Sequence, residues 1–166
     1  MKLGKYQTEA AVTIATDNAR DMEIHAVLGL VAEVSEFLHA LCSGDEEEHI
    51  QKEMGDVCWM IAELCTANGW RMNEVVSFHS NDAESRNLTC ADKICDIYQK
   101  TFQGHPVDED KVKACLKSIW GGLMGCCAQH GWKMQDILDL NIKKLRKRYP
   151  DGFKTDNSLH RAEGDV

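Results

Sequence analysis

The sequence predicts an all-α domain. Only two prolines occur among 166 residues, and proline is the residue that most strongly interrupts a helix. Apolar residues also recur at helical spacing over long stretches, as in Leu28, Val31, Val34, Leu38 and Leu41. A chain of this length, with 43% hydrophobic and 28% charged residues, can form a single domain, residues 1–166, with a buried core.

Seven helical segments are expected in order along the chain. They span residues 7–20, 22–42, 45–68, 72–79, 89–103, 107–129 and 134–148. Gly44 ends the second segment and Gly69 ends the third, because glycine readily adopts the backbone conformation that closes a helix. Residues 80–88 are polar without periodicity and predict a linker. The polar tail, residues 154–166, is expected to be loose unless it docks.

Four acidic residues on two of these segments point to a function. Glu33 and Glu36 share one face of the second helix, and Glu53 and Asp56 share one face of the third, each pair at spacing i, i+3. Two such helices packed antiparallel would direct all four carboxylates to one place. Clustered carboxylates repel unless a cation lies among them, and a hard divalent ion such as Mg²⁺ suits oxygen ligands. The pattern therefore predicts a metal-dependent enzyme that acts on a phosphorylated substrate.

The charge of the chain limits its partners. The formal net charge is −8, which argues against a broad nucleic-acid-binding surface. Basic residues are nevertheless concentrated near the C-terminus, where they could bind a phosphate group locally. This cluster comprises Lys143, Lys144, Arg146, Lys147 and Arg148.

The cysteines and the N-terminus favour a cytoplasmic protein. There are eight cysteines but no CxxC pair, and most lie among apolar residues of predicted helices, which indicates buried thiols. The N-terminal sequence MKLGKYQTEA lacks an apolar targeting segment. No apolar run approaches the roughly 20 residues needed to cross a bilayer. We therefore expect a reducing cytoplasm and no membrane association.

Two segments of the sequence resemble each other at an offset of 62 residues. The segment from Thr66 to Val76 contains Gly69-Trp70, and the segment from Ala128 to Leu138 contains Gly131-Trp132. Such a repeat suggests that a helix pair was duplicated. At the same offset, Glu53 corresponds to Cys115 and Asp56 to Ser118, so the second copy lacks the acids. We expect a pseudo-dimer with a metal-site half, residues 1–79, and a degenerate half that continues into the C-terminal phosphate-binding segment, residues 80–153.

Two stretches of the chain resemble a known family. The sequence HAVLGLVAEVSEFLHAL followed by EMGDVCWMIAEL, within residues 25–68, resembles the ExxE and ExxD signature of MazG-like all-α nucleoside triphosphate pyrophosphohydrolases. Residues 141–153 resemble the closing segment of that family, N-x-x-K-L-x-x-R-Y-P-x-G-F. The intervening residues, about 70–132, depart from a short family member. The resemblance implies a MazG-like helical bundle.

The resemblance also implies an activity and a metal. It implies hydrolysis of a (deoxy)nucleoside triphosphate to the monophosphate and pyrophosphate, in nucleotide-pool control or in removal of noncanonical nucleotides. Mg²⁺, which Mn²⁺ could replace, would be held by Glu33, Glu36, Glu53 and Asp56. Glu33 or Glu36 would accept the proton of the attacking water. We further expect a homodimer.

Substrate contacts are expected on the last helix and near the acids. Asn141, Lys144 and Arg148 lie at i, i+3 and i+7 on one helical face and match the closing segment, so they could hold the phosphate chain, with Tyr149 at its edge. The alternative is a solvated basic last turn favoured by the helix dipole. Arg161 in the tail could add a phosphate contact. The candidates for contact with the base are His25, Trp59 and Trp70.

Two other readings of the sequence are open. Glu36 with His39, and Glu46 with His49, both match the Glu-x-x-His pattern of a di-iron carboxylate bundle. That site needs the motif on two separate long helices, and here Glu46 lies at a helix start. The second alternative is a non-catalytic helical interaction protein in which the acids only form a soluble face.

Overall fold

The computed structural model describes residues 1–78 and 88–160. These residues form eight helices and no β-strand, which confirms the all-α prediction. In chain order the helices are α1 (Leu3–Ala11), α2 (Ala19–Ser43), α3 (Glu47–Ala67), α4 (Met72–Val75), α5 (Cys90–Thr101), α6 (Glu109–His130), α7 (Met134–Arg148) and α8 (Thr155–Leu159).

Helices α2 and α3 form the antiparallel hairpin on which the site is built. Gly44 has a φ of 70° and the amide of Asp45 bonds to the carbonyl of Ala40 at 3.1 Å, which closes α2 as the sequence predicts. Farther along, the helices approach very closely, since a Cβ added to Gly29 would lie 2.2 Å from the sulfur of Met60. This contact sets the register of the two helices.

Helices α1 and α7 pack against the other side of α3. A Cβ on Gly55 would lie 2.9 Å from the Cβ of Asn141, so the missing side chain lets α7 approach α3 closely. The hydroxyl of Tyr6, on α1, is fully buried and donates to Asn141 Oδ1 at 2.8 Å. The three helices therefore meet directly beside Asp56.

The first predicted helix is displaced in the structure. Residues 7–20 were expected to form one helix, but α1 ends at Ala11 and α2 begins at Ala19. The reason is capping by Asn18, whose side chain accepts a hydrogen bond from the amide of Asp21 at 3.0 Å. The hydroxyl of Thr13 also bonds to the carbonyl of Ala10 at 2.8 Å, which turns the chain out of α1.

The remaining helices lie close to their predicted positions, with two differences. Helix α4 ends at Val75, not at residue 79. The tail contains α8, which was not predicted and is joined to the end of α7 by a hydrogen bond from Asn157 Nδ2 to the carbonyl of Arg148 at 3.0 Å. Most of the expected linker, residues 80–87, and the candidate Arg161 lie outside the described residues.

The sequence repeat has matching local structure. Gly69 and Gly131 have φ angles of 68° and 71° and close α3 and α6 in the same way. The amide of Trp70 bonds to the carbonyl of Cys65 at 2.8 Å, and the amide of Trp132 bonds to the carbonyl of Cys127 at 2.9 Å. Both helix ends thus have the same capping motif. The pseudo-dimer arrangement of the two halves stays a prediction.

Helix α2 is long and apolar enough to cross a membrane by length and composition alone, a test that core helices of soluble proteins also pass. The expected absence of a membrane partner therefore stays a prediction.

The cysteine prediction can be compared with the structure. All eight thiols are free, and Cys58, Cys65, Cys90, Cys126 and Cys127 are buried.

The close approach of α3 and α7 predicts the effect of a glycine substitution. Gly55→Ala should lower the free energy of unfolding by about 1 kcal/mol, because the crowding against Asn141 outweighs the better helix propensity of alanine. Urea unfolding measures this change. The matched control is Gly4→Ala in α1, where the new Cβ would meet only an ordinary contact at 3.8 Å and should not destabilise the protein. Equal effects of the two substitutions would contradict the packing described here.

Candidate active site

Three carboxylates converge between α2 and α3. One oxygen atom from each of Glu33, Glu53 and Asp56 lies within 4.8 Å of the other two. Glu53 and Asp56 are buried and Glu33 is half-buried. Glu36 is exposed on the same side of α2 and lies outside this group of oxygens, although its charge acts on both Glu33 and Glu53.

The cluster makes ionisation of its members unfavourable. The pKa of Glu33 is raised to about 7, first because burial removes water from the carboxylate and then because Asp56, Glu36 and Glu53 are negative. Burial and Asp56 likewise raise the pKa of Glu53. A cation between these groups would relieve both effects.

One cation is supplied by the chain itself. Lys144 Nζ donates a hydrogen bond to Asp56 Oδ2, and Asn141 Nδ2 donates to Asp56 Oδ1 at 2.9 Å. Asn141 is in turn oriented by Tyr6, whose own pKa is raised by burial. Asp56 is therefore held in one orientation by α7, and α7 is held by α1. The sequence predicts Asn141 and Lys144 as phosphate contacts, and the structure places both at the carboxylate cluster.

The donor set fits a hard divalent ion. Mg²⁺ binds oxygen ligands at about 2.0–2.1 Å, so ligands on opposite sides of the ion are about 4.2 Å apart. The oxygens of Glu33, Glu53 and Asp56 lie within 4.8 Å of one another, which is close to that separation. Three carboxylates would leave positions for water or phosphate oxygens, as is usual for Mg²⁺ sites.

A pocket of about 240 Å³ adjoins the cluster and shares Glu33 with it. Its walls come from α2, α3, the end of α7 and the tail. The lining residues are Thr13, Ala15, His25, Gly29, Glu33, Trp59, Met60, Arg148, Tyr149, Phe153 and Ser158. Four of the predicted substrate contacts, namely His25, Trp59, Arg148 and Tyr149, are thus brought together next to a predicted metal ligand.

His25 and Trp59 form one wall of this pocket. His25 Nδ1 lies 2.9 Å from Glu63 Oε1, and Glu63 is completely buried. The hydrogen bond with Glu63 raises the pKa of His25. The ring of Trp59 meets the ring of His25 edge-on, with centroids 6.3 Å apart. The indole Nε1 of Trp59 is buried and has no hydrogen-bond partner among the described residues.

Trp70, the third candidate for contact with the base, lies elsewhere in the structure. Its Nε1 donates to Glu109 Oε2 at 3.1 Å, and Lys113 Nζ lies 4.4 Å from the ring centroid. It does not line the pocket beside Glu33.

Sequence reasoning missed two residues of the site, Tyr6 and Glu63. Glu63 carried a signal, because it lies in the apolar stretch MIAELC, and a charged residue there must have a partner. Nothing in the local sequence indicates the role of Tyr6, because that role depends on Gly55 and Asn141, which are 49 and 135 residues farther along the chain.

Residues 23–90 match the family model of the MazG nucleotide pyrophosphohydrolase domain. This part of the chain, residues 23–90, is MazG-like. No curated protein and no solved structure matched it. The MazG match covers most of α2 and all of α3, and it includes Glu33, Glu53 and Asp56.

The MazG domain indicates a hydrolase that acts on a nucleotide and releases pyrophosphate. Proteins with this domain generally depend on a divalent metal, which agrees with the oxygen cluster between α2 and α3. Among the described residues, this group of carboxylates lies on the MazG-like helices, and α5 and α6 carry no comparable group of metal-binding side chains.

The His25 and Glu63 pair predicts a pH dependence of stability. Because the folded-state pKa of His25 is raised above its usual value of about 6.5, the pair stabilises the fold fully below that pH. This contribution is lost as the pH rises through the raised pKa. Solvent screening at the half-exposed imidazole should keep it to roughly 1 kcal/mol or less. Urea unfolding over a pH series, with an NMR titration of His25, measures both quantities.

The control for this prediction is His25→Gln, compared with His105→Gln on the exposed loop before α6. Only His25→Gln should remove the pH-dependent increment. A His25 pKa at or below 6.5 in the NMR titration would contradict the pairing with Glu63.

Proposed function

We propose that this protein hydrolyses a (deoxy)nucleoside triphosphate to the monophosphate and pyrophosphate in a Mg²⁺-dependent reaction. The observation that carries the proposal is the shared position of Glu33. This carboxylate belongs both to the oxygen cluster with Glu53 and Asp56 and to the wall of the pocket that contains Trp59 and Arg148. A metal-bound phosphate chain and a base could therefore occupy adjoining spaces.

Glu33, Glu53 and Asp56 would hold the ion, with Glu36 completing the set from the exposed side. The ion, when bound, neutralises phosphate oxygens and acidifies water. Mn²⁺ has the same preference for oxygen ligands and could replace Mg²⁺.

Proton transfer falls to Glu33 or Glu36. The attacking water forms a bond to phosphorus, pyrophosphate leaves, and the proton of the water passes to a carboxylate oxygen. Glu33 borders the pocket and also belongs to the oxygen cluster, so its carboxylate lies between the proposed ion and the space for the substrate. Glu36, which is exposed to solvent, is the alternative proton acceptor.

Basic residues of α7 would contact the phosphates. Arg148 lines the pocket, and its guanidinium can bind phosphate oxygens through two parallel hydrogen bonds. Lys144 neutralises Asp56, and its flexible side chain could turn to a phosphate once a divalent ion takes its place. Asn141 is committed to Asp56 and Tyr6, so its role is to position the carboxylate.

The base would lie against Trp59 and His25. Trp59 offers an aromatic surface and an indole N–H without a partner, and His25 offers the edge of its ring. The indole N–H favours a base edge that carries a hydrogen-bond acceptor. Nucleotide-pool control and removal of noncanonical nucleotides are both compatible with such a pocket, and a cytoplasmic location would suit either role.

A panel of common and modified nucleoside triphosphates, assayed for pyrophosphate release with Mg²⁺, tests the activity. Asp56→Asn and Glu33→Gln should each lower kcat/KM by at least about 100-fold, because each removes a metal ligand. Thermal unfolding with and without Mg²⁺ shows whether each variant is folded and still binds the ion.

The matched control is Glu47→Gln, which removes an exposed carboxylate from the same helix α3. It should keep the wild-type rate. Wild-type rates in both Asp56→Asn and Glu33→Gln would refute the assignment of the metal site. A folded wild-type protein that releases no pyrophosphate from any nucleotide would refute the activity.

The outer face of α2 supports a homodimer. Leu28 is 61% exposed and Val31 is 37% exposed, and Ala32 and Ser35 extend the same face with small side chains. The stripe is uncharged, carries no large polar side chain and lies at helical spacing, so α2 of a second copy could pack against it about a two-fold axis. Such pairing would also bring the second copy close to the oxygen cluster.

Sedimentation of the wild-type protein and of Leu28→Lys tests this interface. The wild type should sediment as a dimer, and Leu28→Lys should shift it to monomer because a charge cannot be buried between the two helices. The control is Val12→Lys, at another exposed apolar residue outside α2, which should stay dimeric. A monomeric wild type would exclude the homodimer.

A further inference from the structure

The buried carboxylate of Glu63 is a titratable group that the proposed hydrolysis does not use. Glu63 lies on α3, and its side chain is completely buried. Within the described parts of the chain, its one ion pair is with His25 of α2. Burial of a carboxylate is unfavourable unless a partner carries the opposite charge or donates hydrogen bonds to it. Glu63 therefore needs His25 as a donor and favours its protonated form.

The geometry of the pair fixes which ring nitrogen of His25 meets the carboxylate. Nδ1 of His25 lies 2.9 Å from Oε1 and 3.0 Å from Oε2 of Glu63. An ionised carboxylate only accepts hydrogen bonds, so Nδ1 carries a hydrogen atom whether the imidazole is charged or neutral. Nε2 is then the ring nitrogen left for a ligand. It donates a hydrogen bond when His25 is protonated and accepts one when His25 is neutral.

His25 lines the pocket beside a second hydrogen-bond donor. His25 and Trp59 both line the cavity of about 240 Å³, and their rings meet edge-on. The indole Nε1 of Trp59 is buried without a partner among the described residues, and a buried donor of this kind needs an acceptor. A keto oxygen of a base is an acceptor for either N–H. An amino group in the same place would instead bring two donors together, which leaves both without a hydrogen bond.

The charged groups around His25 favour its protonated form near neutral pH. The hydrogen bond with Glu63 raises the pKa of His25, burial lowers it, and the charges of Glu63 and Glu33 raise it further. Arg148, from the end of α7, is the cation among the residues that line this pocket. Because the pKa is raised above its usual value of about 6.5, Nε2 is a donor below that pH and becomes an acceptor as the pH rises through the raised pKa.

We propose that Glu63 is a positioning residue for base recognition, which holds His25 by Nδ1 so that Nε2 donates to the base and the pocket prefers a keto oxygen over an amino group. Glu63 acts through His25 and does not itself touch the substrate. The inference rests on the proposed function, because it takes the pocket beside Glu33 as the place of the base. It names the substrate class, which is nucleotides with a keto base, such as uracil or hypoxanthine, over the amino counterparts cytosine and adenine.

Matched nucleotides with a keto or an amino group test the proposal. Deoxyuridine and deoxycytidine monophosphates form one pair, and inosine and adenosine monophosphates form the other. Calorimetry measures their binding from about pH 6 to about pH 8.5, on both sides of the usual histidine pKa, and the ratio within a pair cancels effects of pH on the phosphate. For the pair that binds more tightly, we expect the keto member to be preferred at least about tenfold at the lower pH. The preference should fall by about the same factor at the higher pH, because neutral His25 accepts at Nε2.

Glu63→Met separates positioning from a general effect on the pocket. Methionine keeps most of the volume but not the carboxylate, so both tautomers of neutral His25 become available and Nε2 can donate at any pH. The ratio should then vary less than about twofold with pH. His25→Gln, at a half-exposed position, should have the same effect, and it tests the proposal if circular dichroism shows that Glu63→Met is unfolded. The control is Glu48→Met, which removes an exposed carboxylate of α3 and its ion pair with Lys52 and should keep the wild-type ratio at every pH.

Three results would overturn the proposal. They are a wild-type ratio near one at every pH, the wild-type pH dependence in folded Glu63→Met or in His25→Gln, and no binding of any of the monophosphates. A nitrogen NMR spectrum in which neutral His25 of the wild type carries its hydrogen on Nε2 would also contradict it. Equal hydrolysis of keto and amino triphosphates would leave the pyrophosphohydrolase activity in place and remove only the base preference. Selective binding without pyrophosphate release would refute the activity and keep the base preference.

Discussion

The antiparallel packing of α2 against α3 is the constraint on which the site depends. Gly29 allows the sulfur of Met60 to occupy the space of a side chain, so the two helices lie close together. In that register Glu33 comes beside Asp56 one turn along α2, and His25 comes beside Glu63 one turn in the other direction. A wider separation of these helices would place the carboxylates too far apart to bind one ion.

Close packing has an electrostatic cost, which the surrounding helices partly offset. Glu33 and Glu53 have raised pKa values because they are crowded and partly removed from water. Lys144 supplies a positive charge from α7, and its position depends on the close contact between Gly55 and Asn141. The positive charge of Lys144 thus stabilises the acidic cluster in the folded protein, and a divalent ion could displace this side chain.

The second half of the chain shows that the helical frame and the carboxylate cluster are separable. Helices α3 and α6 end in the same capping motif, with a glycine in the left-handed conformation followed by tryptophan. At the repeat offset, however, Cys115 and Ser118 stand where α3 has its acids. Apolar periodicity and glycine caps are enough to form the helix, whereas the carboxylate cluster needs particular side chains on it.

The sequence by itself determined the helical class, most helix ends and the acidic pairs, because apolar periodicity, glycine caps and i, i+3 spacing are local properties. It did not place the break at Asn18, where a capping side chain overrides periodicity. Only the tertiary structure decided that Asn141 supports Asp56, that Glu63 pairs with His25, and that His25 and Trp59 line one pocket. These relations join residues on different helices, so they depend on how closely and in which register the helices pack.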